Sequence, residues 1–363
     1  MTSGVGCRRR CATSEPTALN DAGSAVTTVA GAAGAPAPKV GYGRARGGRL
    51  TRLRPFVPVA VLLLLCIAIT LIAPNFLSRG NFVRVGIAAA IPMVLACGMT
   101  FVILLGSIDL STEGIVAVSA VALSLLVKNL VGSWDWGLWA LPAPILLGAA
   151  LGFVNGAVHV RLRIPSMIAS LGIGFACIGI ATVVLGGITV RVVDPQIRDI
   201  ALHRVLGIPF SVWIALACIL VAWLIQTYTR LGRWSYVLGG GEDIAKLSGV
   251  PVGRVRVGIY TLAGFFYGIG GILCVAQFGQ SQALIAQGYL FSVITSVVVG
   301  GTALTGGEGG ILNTVVGVLL VIVLGNGMIL VGVPPYVQQG VQGLLIIVAV
   351  ALSIDRARVR MVK

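Results

Sequence analysis

Charge is what this sequence lacks most. Only 10% of its 363 residues are Asp, Glu, Lys or Arg, against about a quarter in soluble domains, which excludes a soluble globule. Histidine occurs twice, as His159 and His203, too few and too far apart to build a metal centre or to serve a nucleophile in an intramembrane enzyme. Acids number 11 against 26 Lys and Arg. A complete phosphate-binding loop is missing as well. Glycines precede Lys246, but Ala245 stands where Gly is needed and Leu247 where Ser or Thr is needed. The chain is therefore not expected to bind ATP or any other cofactor itself.

What is present is apolar. Hydrophobic residues make up 57% of the chain and the mean hydropathy is +1.01. At about 20 apolar residues per crossing, that supplies on the order of eight to ten membrane helices. Glycine is abundant, with 50 residues, which suits close-packed or broken membrane helices. The expected fold is an all-α polytopic membrane protein with some short or interrupted spans.

Three regions follow from composition. Residues 1–54 are rich in Gly, Ala, Ser, Thr, Pro and Arg and cannot build a core, so a disordered basic tail is expected there. Ala and Gly interrupt everything behind the first arginines, which argues against a cleaved signal. Cys7 and Cys11 have no second ligand pair, which argues against zinc. Residues 55–355 form the transmembrane region, and 356–363 a basic C-terminus. Ten spans are expected, centred on residues 55–73, 85–105, 114–131, 137–158, 166–187, 209–228, 255–276, 288–302, 311–330 and 338–354.

The net charge of +15 would suggest nucleic acid in a soluble protein. Here it reads as topology. With the N-terminus in the cytoplasm, only Arg79, Arg84, Lys128, Arg191, Arg198 and Arg204 fall outside, and the rest of the 26 Lys and Arg lie inside. An N-in, C-in orientation follows, with anionic lipid rather than nucleic acid as the partner of the basic tail. Cys66, Cys97, Cys177, Cys218 and Cys274 all fall within spans and are expected as packing residues, not disulfides.

Three polar features interrupt the apolar pattern. The inner loop from Arg230 to Arg256 contains Gly239, Gly240 and Gly241, then Glu242, Asp243, Lys246, Leu247 and Ser248, then Gly249 and Pro251. Acids first, Lys late, Gly as a stop and Pro beyond describe a short helix. Such a helix either presents a rigid knob to a cytoplasmic partner or packs the loop for its own stability. Residues 106–114 form a break containing Ser107, Asp109, Ser111, Thr112 and Glu113. Asp109 or Ser111 is placed to cap the third span, with Glu113 in its first turn. Carboxylates at membrane depth also mark transport pathways, and Asp109 with Glu113 raises the alternative of an ion-gradient-driven secondary transporter. A second break, residues 300–310, holds Thr302 and Thr305. Each break precedes a later Asn-Gly pair, Asn155–Gly156 and Asn326–Gly327, a pattern that points to an internal repeat. Gly264, Gly268, Gly270 and Gly271 are expected to permit close helix packing.

Taken together, the segments Thr100–Ser111, Thr229–Val252 and Val298–Gly343, the last including Asn326, Gly327, Pro335, Tyr336, Gln338 and Gln339, resemble the permease subunits of bacterial sugar ABC importers, the ribose, xylose and galactose permease family. The likeness covers about residues 58–355. It implies a subunit of the bacterial inner membrane that pairs with a second permease copy, docks on an ATPase with two nucleotide-binding domains and receives solute from an extracytoplasmic binding protein. ATP and Mg would then belong to the partner ATPase. The resemblance implies that Glu242, Asp243, Lys246, Leu247, Ser248 and Gly249 form the coupling helix. It makes Ser107, Asp109, Ser111, Asn155, Thr302, Thr305 and Asn326 candidates for the translocation path or its gates. The chain departs from the family pattern at Thr112 and Glu113, where Val and Gly are usual, and at Ile329, where Asn is common.

Overall fold

The structure is a computed structural model describing residues 57–132 and 134–353, so the expected basic tail (1–54) and C-terminus (356–363) lie outside the described residues. The described chain is helical throughout its apolar stretches. α1 (Val57–Ile72), α2 (Arg79–Leu104), α3 (Thr112–Leu126), α4 (Pro142–Leu162) and α5 (Ser166–Leu185) come first. A two-stranded ribbon and a turn of helix follow: β1 (Val190–Arg191), α6 (Pro195–Leu202), β2 (Arg204–Val205) and β3 (Ile208–Pro209). Next are α7 (Phe210–Tyr228), α8 (Arg230–Gly240), α9 (Glu242–Leu247), α10 (Val252–Phe278), β4 (Gln280–Ser281), α11 (Tyr289–Val299), α12 (Ile311–Leu330) and α13 (Pro335–Ser353).

Every one of the ten expected segments contains a helix. Six are long and apolar enough to cross a membrane: α2, α4 with the turn before it, α5, α7, α10 and α12. α1, α3 and α11 are shorter apolar helices. The all-α membrane character therefore stands, and among the described residues length and composition alone qualify six helices as crossings.

α10 is the axis of the bundle and packs on α2, α3 and α4. At 27 residues it runs about 40 Å, with α8 and α9 beside its start (the knob end) and β4 at its finish (the far end). Over their membrane-length windows α2 and α10 are apolar and mostly buried, as helices surrounded by protein must be. α4, α5 and α7 turn Leu146, Phe175, Val183 and Leu220 outward, a surface suited to lipid. α4 meets α10 through glycines four residues apart. Gly152 faces Gly264, and Gly156 faces Val257 and Tyr260, at separations with no room for a Cβ. Close backbone approach of this kind replaces the hydrophobic drive that lipid cannot supply.

At the far end β1 pairs antiparallel with β4, and β2 with β3. α6 is capped by the Asp194 carboxylate, which accepts from Gln196 N at 2.9 Å. Arg198 donates to the carbonyls of Ala276 (3.0 Å) and Gln277 (3.4 Å), satisfying the last turn of α10. Cys97, Cys177, Cys218 and Cys274 are buried free thiols, and Cys66 is half-buried.

Candidate functional site

The knob is α9, six residues long. Glu242 in its first turn accepts from Lys246 Nζ at 2.9 Å and from Arg256 Nη2 at 2.6 Å. These hydrogen bonds, Lys246 foremost, hold the Glu242 carboxyl below the usual carboxylate range. Arg256 lies in the first turns of α10, so this ion pair fastens the knob to the axial helix. Gly249, at φ +74°, ends the helix. Its N–H donates to Lys246 O and that of Val250 to Ala245 O, both at 3.0 Å, the left-handed stop that glycine permits. Ala245 is fully buried beneath, whereas Ile244 and Leu247 are 66% and 91% exposed. Asp243 and Ser248 are exposed beside them, and Ser248 Oγ donates to Ile244 O at 2.9 Å. All six expected docking residues thus stand on one compact element whose outer face is partly apolar.

α8, ahead of the knob, was not expected, and it connects the knob to the membrane breaks. Thr229 Oγ1 accepts from Gly232 N at 3.2 Å and starts the helix. Tyr236 then donates its hydroxyl to Gly309 O at 2.7 Å and accepts from Gln226 Nε2 at 2.9 Å. The Gln226 amide oxygen accepts from Ile311 N at 2.7 Å. Gly239 lies against Leu104 O and Gly307 N so closely that no Cβ would fit. Gly307 N in turn donates to Leu104 O at 3.0 Å. A Cβ on Gly106 would stand 2.9 Å from Thr305 O. The end of α2, both polar breaks and α8 therefore converge on one backbone junction.

Within the first break Asp109 is buried, 1% exposed. Its Oδ1 accepts from Ser111 N (2.9 Å), Ser111 Oγ (2.5 Å) and Asn155 Nδ2 (3.2 Å). Asn155 reaches in from α4 and also donates to Ser111 Oγ at 3.1 Å. Ser170 Oγ on α5 accepts from Leu110 N at 3.0 Å. Two helices, α4 and α5, thus hold the break by its polar atoms, and Ser107 is buried at its start. Three of the expected path residues, Asp109, Ser111 and Asn155, form one network. Ser111 stands at the N-cap of α3 but makes no side-chain cap bond.

Glu113 goes elsewhere. Its carboxylate crosses to α11 and accepts from Gly288 N at 2.9 Å and Leu290 N at 3.1 Å, capping a helix that has no side-chain cap of its own. The two acids do not form a pair. In the second break Thr302 is buried and its Oγ1 accepts from Gly310 N at 3.3 Å, closing its own loop, while Thr305 is exposed. Asn326 exchanges two side-chain hydrogen bonds with Asn81, at 2.9 and 3.0 Å, joining α12 to the start of α2. The two Asn-Gly pairs therefore make unlike contacts, one on a break and one remote from it.

An apolar-sheathed helical bundle with polar breaks inside it and a knob wired to them is a membrane permease in architecture. The chain belongs to the family described as branched-chain amino acid transport system / permease component, whose model matches residues 81–350. It is 36% identical to the ribose import permease protein RbsC of Escherichia coli K12 over 299 residues, covering 81% of this chain and 92% of that one. It is 34% identical to the Bacillus subtilis 168 protein of the same name, covering 84% and 94%. It is 31% identical to the L-arabinose transport system permease protein AraH of E. coli K12, covering 80% and 88%. No solved structure matches the chain. The chain is a transport subunit and not an enzyme. The ion-gradient reading of Asp109 and Glu113 falls away, since its relatives are transport-system permeases and the two acids are engaged separately.

Proposed function

We propose that this chain forms the translocation path of an ATP-driven sugar importer in the bacterial inner membrane. The observation that carries this reading is the near full-length likeness to ribose and L-arabinose permeases. ATP and Mg are bound by a separate ATPase with two nucleotide-binding domains, and an extracytoplasmic protein delivers the sugar. A second permease copy completes the path. Ten helices cross or enter the membrane, with the N- and C-termini and α9 on the cytoplasmic side. The basic residues of the knob end, Arg230, Arg233, Lys246, Arg254 and Arg256, support that orientation.

In this reading the ATPase grips Ile244 and Leu247 of α9, with Glu242, Asp243, Lys246, Ser248 and Gly249 shaping the knob. Movement of α9 passes to α8 and, through Tyr236, Gln226 and Gly239, to both breaks at once. Ser107, Asp109, Ser111, Asn155, Thr302 and Thr305 then gate the path, while Asn326 holds α12 on α2. ATP hydrolysis biases the bundle between two arrangements only as far as the knob binds the ATPase differently in each. The test is uptake of labelled neutral pentoses and hexoses by proteoliposomes carrying permease, ATPase and binding protein. Uptake that stops when ATP is withheld is expected, and uptake indifferent to ATP overturns the proposal.

A further inference from the structure

A cavity of about 330 Å³ lies between α11, α12 and α13, within the size range of small-molecule sites. Phe291, Ser292 and Thr295 line it from α11, and Gln339 and Gln342 from α13, with Leu324 of α12 among its apolar wall. Among the described residues that line it there is no Asp, Glu, Lys or Arg. Thr295 is buried, and its hydroxyl donates to Phe291 O at 2.6 Å, leaving its oxygen as an acceptor toward the space. Gln338 points its amide at Val333 O at 2.8 Å, whereas its neighbours Gln339 and Gln342 line the cavity.

The depth and charge of this cavity follow from α11. Its 11 residues reach about 16 Å, roughly half of a hydrocarbon core about 30 Å thick. Its C-terminal loop meets α8 at the knob end, so its N-terminus, beside the cavity at Gly288, stops about one helix length in from that end. A bare helix N-terminus there would attract anions. Glu113 already supplies the negative charge, through its bonds to Gly288 N and Leu290 N.

We propose that this cavity is a mid-membrane chamber for a neutral polyhydroxylated solute. Gln339, Gln342, Ser292 and Thr295 meet its hydroxyls, Phe291 faces its C–H surface, and Glu113 turns the chamber against anions. The solute class rests on the sugar-importer reading; the chamber's hydration and charge preference do not. Amides and hydroxyls can exchange hydrogen bonds with every hydroxyl of a sugar, and a solute lacking those hydroxyls leaves them unpaired, which is how such a site discriminates.

Two measurements on the full chain in proteoliposomes keep these apart. In a variant whose native cysteines are replaced, Ser292→Cys and Gln342→Cys are treated with a neutral hydroxyethyl and an anionic sulfonatoethyl methanethiosulfonate. Modification by the neutral reagent, with the anionic one slower by about tenfold and that gap narrowed by Glu113→Gln, is the expected result. Cysteines unreactive to the neutral reagent, with and without ATPase and ATP, overturn the chamber, because lipid or protein then fills it. Equal rates for both reagents overturn the role of Glu113. In the uptake assay of the complete importer, Gln339→Ala with Gln342→Ala should raise the KM for the transported sugar by about tenfold through lost hydrogen bonds, with Tm unchanged. An unchanged KM overturns the solute contact. Absence of any sugar uptake by the unmodified importer defeats the sugar reading, and the labelling result still decides the chamber.

Discussion

The hydroxyl of Tyr236 donates to the carbonyl of Gly309 at 2.7 Å, joining the helix ahead of the knob to the second membrane break across 73 residues of sequence. Because Tyr236 also accepts from Gln226, which holds Ile311 N, the knob side and the start of α12 share one hydrogen-bonded unit. Such a unit transmits displacement only while its bonds are intact.

Tyr236→Phe removes the hydroxyl and leaves Gly309 O and Gln226 Nε2 without it, a loss of about 1–3 kcal/mol for a buried group left unpaired. The aromatic body stays, so the fold should persist. Expected is a permease that still binds its ATPase and supports ATP hydrolysis, yet imports less solute for each ATP consumed. Phosphate release and uptake measured in parallel give that ratio, and an unchanged ratio removes Tyr236 from the route.

Gly239 and Gly240 are neighbours with opposite surroundings. A Cβ on Gly239 would overlap Leu104 O and Gly307 N, whereas one on Gly240 meets nothing within 4 Å. Gly239→Ala must push backbone away from backbone, an overpacking cost of about 1–3 kcal/mol or more. Gly240→Ala should leave Tm and transport near wild type. If both alanine variants melt alike in detergent, the junction is looser than its geometry.

Leu247 is 91% exposed on a helix otherwise tied down by Glu242 and Ala245. Exposed leucine on a rigid element is a candidate anchor for a partner pocket. Leu247→Asp should weaken co-purification of the ATPase while the stability of the isolated permease stays within about 0.5 kcal/mol of wild type, as for a surface change. Retained assembly would assign the knob to loop packing alone.

Much of this was legible in sequence because the responsible signals are local. Acids at 242 and 243, Lys246, Gly249 and Pro251 define α9 by capping and dipole chemistry, and the ten apolar stretches each produced a helix. Asp109 with Ser111 was visible as a polar break, but Asn155 joins it from 46 residues away, and nothing in spacing reveals that pairing. Glu113 looked like the first-turn acid of its own helix, and it is one. Its carboxylate nevertheless caps α11, 175 residues on. α8 was hidden because Gly239 and Gly240 read as a loop. Only the close approach of Leu104 and Gly307 explains why a helix ends in glycine there.

The Glu242 carboxyl is held below its usual range by Lys246 and Arg256. A lowered acid contributes stability above its unfolded value, about 4.3, and loses it as pH falls through the lower folded value. Its side chain is 37% exposed, so salt and solvent weaken the effect. Wild type should melt above Glu242→Gln near pH 7, and the gap should close progressively below the ordinary carboxylate range and narrow in high salt. A gap that widens on acidification would reverse the assigned sign.

Asp109 tests whether the first break acts as one network. Asp109→Ala strands Ser111 N and Ser111 Oγ and takes from Asn155 Nδ2 one of its two bonds, the other being to Ser111 Oγ. Orphaned buried donors cost about 1–3 kcal/mol each. Asn155→Ala alone leaves Asp109 its two bonds from Ser111 and should cost less. Because the two side chains share partners, the double variant should lose less than the sum of the singles, with a coupling of about 0.5–3 kcal/mol. Asp109→Asn retains an oxygen that can accept from Ser111, so it should recover most of the stability lost in the alanine variant. Transport restored with stability would mean that hydrogen bonding at 109, and not a transferable proton, is what the break requires. Transport still absent in a stable Asp109→Asn protein would require the carboxylate itself.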